Sequence, residues 1–192
     1  MAIVINGSGT VTGLAVGGLP DGTVDAGTLA TNSVTAAKLE VSAITGADLP
    51  AGSVVQATQT INNTQYSTSN TGAVSTDFIH NFTPTSASNK VLVMSTIRVR
   101  KTNSSGSTSI RLQLYRDGTL LDQLSAGIGY NNSTDPDDSV ATLNYLDTPN
   151  TTSQVVYRWY LGVYNGGGGM VAYINPDGSN DASSITCLEI AG

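Results

Sequence analysis

The sequence predicts an all-β protein. An N-terminal extended stem, residues 1–54, is followed by a C-terminal antiparallel β-sandwich head of jelly-roll type, residues 55–192. Three observations predict it. Only 11% of the 192 residues are charged, less than half the roughly 25% of an ordinary globular chain, which argues against a coiled coil or a charged helical bundle. Residues 21–50 repeat with a period of ten. From Val54 onward, period-two alternation and β-branched runs are punctuated by turn formers, with no sustained 3.6-residue pattern.

The repeat comes first in the chain. The three tens read DGTVDAGTLA, TNSVTAAKLE and VSAITGADLP. Val24, Val34 and Ile44 hold the fourth position, and Leu29, Leu39 and Leu49 the ninth. Between them stand Asp25, Thr35 and Thr45, residue types that cap helix N-termini, followed by small residues. The branched residue before each cap and the Leu four positions after it have the spacing of a hydrophobic staple. Each decad therefore reads as an extended piece, one capped turn and a polar link. A single turn cannot stand alone, and two apolar side chains per ten residues cannot make a monomeric core. A disordered linker would not need registered apolar positions, so the phase favours several chains pooling these Val and Leu residues. Residues 1–54 carry Asp21, Asp25, Glu40 and Asp48 against Lys38, about half of the net charge of -6, so the stem is not a charged tail.

In the head, candidate strands follow in order: Val54–Ile61, Ser75–Phe82, Lys90–Arg100, Ser109–Tyr115, Thr119–Leu124, Ser139–Leu146, Gln154–Tyr164, Met170–Ile174 and Ser184–Ile190. Gly, Ser, Thr, Asn, Asp and Pro dominate the links. Asp117-Gly118 between two apolar runs is a strong hairpin signal. Two strands carry bulk on both faces. In Gln154–Tyr164, Val155, Tyr157, Trp159, Leu161 and Val163 alternate with Val156, Arg158, Tyr160 and Tyr164. In Lys90–Arg100, Val91, Val93, Ser95, Ile97 and Val99 oppose Leu92, Met94, Arg98 and Arg100. One face of each belongs in the sandwich core, with Trp159 inside. The other wants a partner, and tyrosine suits an interface.

The search for chemistry predicts no enzyme, no cofactor and no metal site. His80, the single histidine, lies between Phe78 and Phe82 on their side of a strand and reads as a packed residue. Cys187 reads as a buried thiol and leaves no partner for a disulfide. No nucleophile elbow, zinc-protease motif or phosphate loop occurs. Asp135, Asp137 and Asp138 in one turn, and Asp177 and Asp181 in another, are oxygen clusters of the kind calcium uses. Neither has EF-hand spacing, and solvated acidic turns are the favoured reading. Eight basic residues under a net charge of -6 argue against nucleic acid. Apolar runs of a few residues predict no membrane insertion, and Met1–Thr10 lacks the features of a signal peptide.

Several stretches resemble a family. VTGLAVGGLPDGTVDAGTLATNSVTAAKL (Val11–Leu39) with LPAGSVVQ (Leu49–Gln56) is similar to the N-terminal part of tail fibres and tailspike-like virion proteins of tailed bacteriophages, often of cyanophage type. FTPTSASNKVLVMSTIRV (Phe82–Val99), LYRDGT (Leu114–Thr119) and SSITCLEIAG (Ser183–Gly192) resemble the small distal domains after such stems. The resemblance implies a homotrimer with an intertwined stem, in which Val24, Leu29, Val34, Leu39, Ile44 and Leu49 would supply the trimer core. It implies a short fibre of the virion, assembled in the cytoplasm of the bacterial host, attached to other virion proteins through its N-terminus. The head would bind a host-surface glycan or protein through polar turns and tyrosine, with Tyr130, Asn131 and Asn132 as the candidate residues. No long shaft separates stem from head, which keeps open a second expectation, a decoration protein on the capsid or tail.

Overall fold

The computed structural model of the protein describes residues 4–5, 11–12, 29, 31, 33–35, 39, 44–102, 108–131, 135–165 and 169–192. The chain divides into two compact units, Met1–Ile44 and Thr45–Gly192. In the first, β1 (Val4–Ile5) and β2 (Val11–Thr12) form a small antiparallel ribbon. At the repeat positions, Leu29, Val34, Leu39 and Ile44 are 46%, 52%, 45% and 57% exposed in the single chain. Val24 lies outside the described residues.

The second unit opens on the turn of the third decad. Gly46–Asp48 is one 3-10 turn. The Asp48 carboxylate accepts hydrogen bonds from the Thr45 backbone N–H (2.8 Å) and hydroxyl (2.7 Å), the acid's half of a capping box, while the Asp48 N–H donates to the Thr45 carbonyl (3.0 Å). A Cβ at residue 46 would lie 2.8 Å from Val55 Cγ1, so glycine lets the turn press on the first strand of the head. In this decad, Leu49 is half-buried.

Ten strands follow: β3 (Val54–Asn62), β4 (Tyr66–Thr68), β5 (Val74–Phe82), β6 (Lys90–Thr102), β7 (Thr108–Arg116), β8 (Thr119–Asn131), β9 (Asp137–Asp147), β10 (Val155–Tyr164), β11 (Val171–Ile174) and β12 (Ser183–Ile190). They make two antiparallel sheets. One runs β5-β10-β7-β8. In the other, β6 pairs β9 on one side, and β12 and then β11 on the opposite side. β3 and β4 lie beyond β12 and β11. Counting β3 with β4 and β11 with β12 as broken single strands, the pairing is nested: first with last, β5 with β10, β6 with β9, β7 with β8. Such a folded-over ribbon, two sheets of four, is the jelly-roll order.

The core between the sheets holds the alternating residues read from the sequence. Val91, Val93, Ile97 and Val99 of β6 meet Tyr157, Trp159, Leu161 and Val163 of β10 in one buried cluster. Each expected strand overlaps an observed one, with two differences. β4 is additional, and β8 continues past Leu124 to Asn131 by shifting register against β7 at two places, with a third shift nearer the hairpin. Bulges on an edge strand twist it away from chance partners. On β10, Gly162 faces the backbone of Ala73, where a Cβ would sit 3.0 Å from its Cα.

Buried polar groups tie the sheets together. Asp147, at the end of β9, accepts from Arg116 Nη1 (2.5 and 2.7 Å) and from the Tyr157 hydroxyl (2.8 Å), both in the opposite sheet. Glu189 is buried; burial alone would raise its pKa, yet hydrogen bonds from Asn89, Gln56 and Thr85 together hold it below the ordinary carboxylate value. The carboxylate thereby fixes the loop after β5 against β3 and β12.

Candidate binding groove

The outward face of β10 carries Val156, Arg158, Tyr160 and Tyr164, all half-buried. Pairing with β7 places Tyr115 opposite Arg158 and Gln113 opposite Tyr160. Diagonal neighbours across a pair are within reach of aromatic side chains, and Tyr115 and Tyr160 pack with ring centroids 4.2 Å apart, tilted by 34°. Farther along, the Arg111 guanidinium lies 5.4 Å from the Tyr164 ring centroid, a cation–π contact. Gln113 donates to Gln123 on β8 (3.0 Å).

Tyr115, Asp117, Gly118, Val156, Arg158 and Tyr160 line a groove of about 310 Å³ on this face. Its end wall is the β7–β8 hairpin, where Asp117 and Gly118 have φ of 47° and 84°. Asp-Gly tolerates two left-handed residues in succession, the requirement of a tight hairpin turn. The turn is pinned to β10 twice: Asp117 N–H donates to the Val156 carbonyl (3.1 Å), and its Oδ1 accepts from Val156 N–H (2.9 Å). Asp117 thus extends the ladder one step past Arg116–Tyr157. Arg158 is held from behind by the Thr76 carbonyl (3.2 Å) and lies 3.8 Å from Asp77. The groove is therefore aromatic on one side, with a fixed carboxylate and a guanidinium at its margins.

The other sequence-predicted residues fall elsewhere. Tyr130 is exposed near the end of β8, at the opposite end of the hairpin from Tyr115, about 20 Å away at 3.3 Å per residue. Asn131 follows it in the strand, opposite Thr108; its side chain and Asn132 lie outside the described residues. Trp159 is core, its indole N–H donating to the Ser95 hydroxyl (3.2 Å). Sequence reading named β10's outward residues but missed Tyr115 and Asp117. The Asp-Gly hairpin signal marked their position without showing that β10 lies alongside.

The acidic turns meet through a cation. Arg100 forks between Asp138 (2.6 and 2.9 Å) and Asp177 (3.0 and 3.3 Å), and the arginine hydrogen bonds pull the Asp138 carboxyl below its usual value. Among the described residues, no three His, Cys, Asp or Glu groups are placed to share a metal ion. His80 is buried between the sheets, with Thr58 and Thr60 hydroxyls 2.8 Å from its two ring nitrogens. Its desolvation lowers its pKa. Burial, with the nearby Asp147 charge, pushes the Cys187 thiol up to about 12. No long, apolar helix able to cross a membrane occurs among the described residues.

No protein-family model matches the chain, and no curated protein does. Solved structures similar to it include three of infectious bursal disease virus. The VP2 subviral particle aligns at 13% identity and TM-score 0.37 over 71% of this chain and 38% of that one. The Gx strain aligns at 16% and 0.39 over 72% and 33%. The T13 viral particle aligns at 14% and 0.37 over 73% and 37%. The chain thus spans well under half the length of these viral proteins.

Proposed function

We propose that this chain is a structural protein of a tailed-bacteriophage virion: a short homotrimeric tail fibre, attached through its N-terminal stem, whose head binds a receptor on the host surface. The observation that carries this reading is the exposure of the registered decad residues. Leu29, Val34, Leu39 and Ile44 each stand about half open to water in one chain, an arrangement that other copies of the stem would close. Cyclic assembly of identical chains is the usual solution, and the resemblance of Val11–Leu39 and Leu49–Gln56 to phage fibre stems supports three copies. The reading assigns no catalytic role.

Native light scattering at micromolar protein tests it. Three times the 19.7 kDa chain mass is expected, and a monomer sinks the trimer. Replacing Leu29, Leu39 and Leu49 together with Ser should dissociate the assembly while leaving the head folded.

A second reading, a decoration protein on the capsid or tail, draws on the outer face of the other sheet. Leu146, Leu92, Leu188 and Ala57 stand in one register across β9, β6, β12 and β3, and Leu146 is half exposed. An apolar row on an outer face suits lying against another protein. Labelling on intact virions separates the readings: density on the capsid lattice favours decoration, and density at the tail favours the fibre.

A further inference from the structure

We propose that the Tyr115–Tyr160 groove is a saccharide-binding site for a neutral pyranose unit of a bacterial surface polysaccharide, and that the head engages its receptor there rather than at Tyr130. This rests on the reading of the head as the receptor-binding part.

The chemistry is that of an amphipathic ligand. A pyranose has apolar C–H faces and a rim of hydroxyls. The paired rings of Tyr115 and Tyr160 offer an apolar surface. Asp117 has committed Oδ1 to Val156, and its turn is exposed, leaving Oδ2 as an acceptor for a hydroxyl. Arg158 uses Nη1 on Thr76 and Asp77, leaving Nε and Nη2 as donors. With Asp117 at one margin and Arg158 already beside Asp77 at the other, the groove carries no net positive charge, so it matches a neutral sugar better than a uronate or a phosphate. Its volume, about 310 Å³, is at the small end for ligand sites and suits one or two sugar units. The site is preformed, because the turn is bonded to β10 at two points and Arg158 is held from behind; little ordering cost remains for binding.

The test applies the full-length protein to an array of purified bacterial surface polysaccharides with neutral and acidic repeats. Retention on neutral-repeat members is expected. It should fall at least about tenfold in Tyr115→Ala and in Tyr160→Ala, as for central aromatic anchors, and persist in Tyr160→Phe, whose ring is intact. Thermal melting of each variant shows that the head is still folded. No retention on any member, retention unchanged in both alanine variants, or retention confined to acidic members and lost at high salt overturns the site. Tyr130→Ala should leave retention unchanged, and loss there overturns the placement. Light scattering and virion labelling on the same preparation separate the two levels. A trimer on the virion tail without tyrosine-dependent retention removes this site alone, whereas a monomer removes the fibre reading.

Discussion

Asn175 Nδ2 donates to the backbone carbonyl of Asn62 at 2.9 Å, joining two interrupted strands of one sheet where both are broken. The break between β3 and β4 and the break between β11 and β12 lie side by side, and the Asn175 side chain fills the missing ladder. It also donates to the Thr64 carbonyl (3.1 Å) and accepts from the Ser183 hydroxyl (2.6 Å), while its φ of 48° turns the chain out of β11.

Asn175 is fully buried, so truncation leaves carbonyls and a hydroxyl without partners. Asn175→Ala should cost about 2–4 kcal/mol, from several lost bonds and an alanine at positive φ. Asn175→Gly, which accepts the backbone conformation, should recover only a minor part. Urea denaturation of the three proteins checks this; near-wild-type stability of the glycine variant would show the backbone turn, not the amide, to be what matters.

Asp147 holds Arg116 and Tyr157 across the sandwich. The buried Tyr157 hydroxyl is pushed up, first by burial and then by its bond to Asp147, so it stays protonated and donates. Asp147→Ala strands a guanidinium and a phenol near the interior and should cost about 3–5 kcal/mol. A loss below about 1 kcal/mol in chemical denaturation would mean that water replaces the carboxylate at no penalty.

His80 gives the head a pH dependence of defined sign. Burial lowers its pKa from 6.5, so below 6.5 the unfolded chain takes up a proton that the folded chain refuses. The stabilisation is fully present above 6.5 and is lost as pH falls through the folded value. Glu189, also lowered, acts in a separate window below its ordinary 4.5. Denaturation midpoints should therefore drop as pH falls below 6.5 in the wild type, with a smaller drop in His80→Gln. Equal slopes for the two would remove His80 as the cause.

Cys187 is buried and its thiol is pushed up to about 12, so almost no thiolate exists near neutrality. An aromatic disulfide reagent should label it only as fast as the head unfolds. Rapid labelling of the folded protein would place the sulfur at the surface.

The strands were legible because alternation records which face is inside. Val155 to Val163 on β10 and Val91 to Val99 on β6 appear in the core as the pattern indicates. β4 was not legible: three residues, Tyr66–Thr68, are too few to show a period. The far half of β8 was hidden because Ser125, Ala126 and Gly127 break the alternation, and the strand continues only by shifting register on β7. The turn of the third decad was legible from Thr45, a residue type that caps helix N-termini, since capping is local; the Asp48 carboxylate that bonds it was not read. The groove was half legible. Tyr160 and Arg158 stood out as bulk on a second face, but Tyr115 joins them only through the β7–β10 register, a long-range pairing that no local pattern encodes. Tyr130 was singled out for its neighbouring amides, a cue with no information about which surface it shares.

The nested pairing has a consequence for how fast the head forms. Gln56 and Glu189, hydrogen-bonded at 2.6 Å, are 133 residues apart in sequence, and among the described residues β3 pairs with β12 alone. Loop-closure entropy must be met before these distant contacts contribute, which places such β topologies among the slower folders, in milliseconds to seconds. During synthesis, at about 5–20 residues per second, the first strand of the head emerges several seconds before its partner. Residues 1–44 leave the ribosome earlier still; in the fibre reading proposed above, the first two decads would then have time to meet other copies before any head has closed.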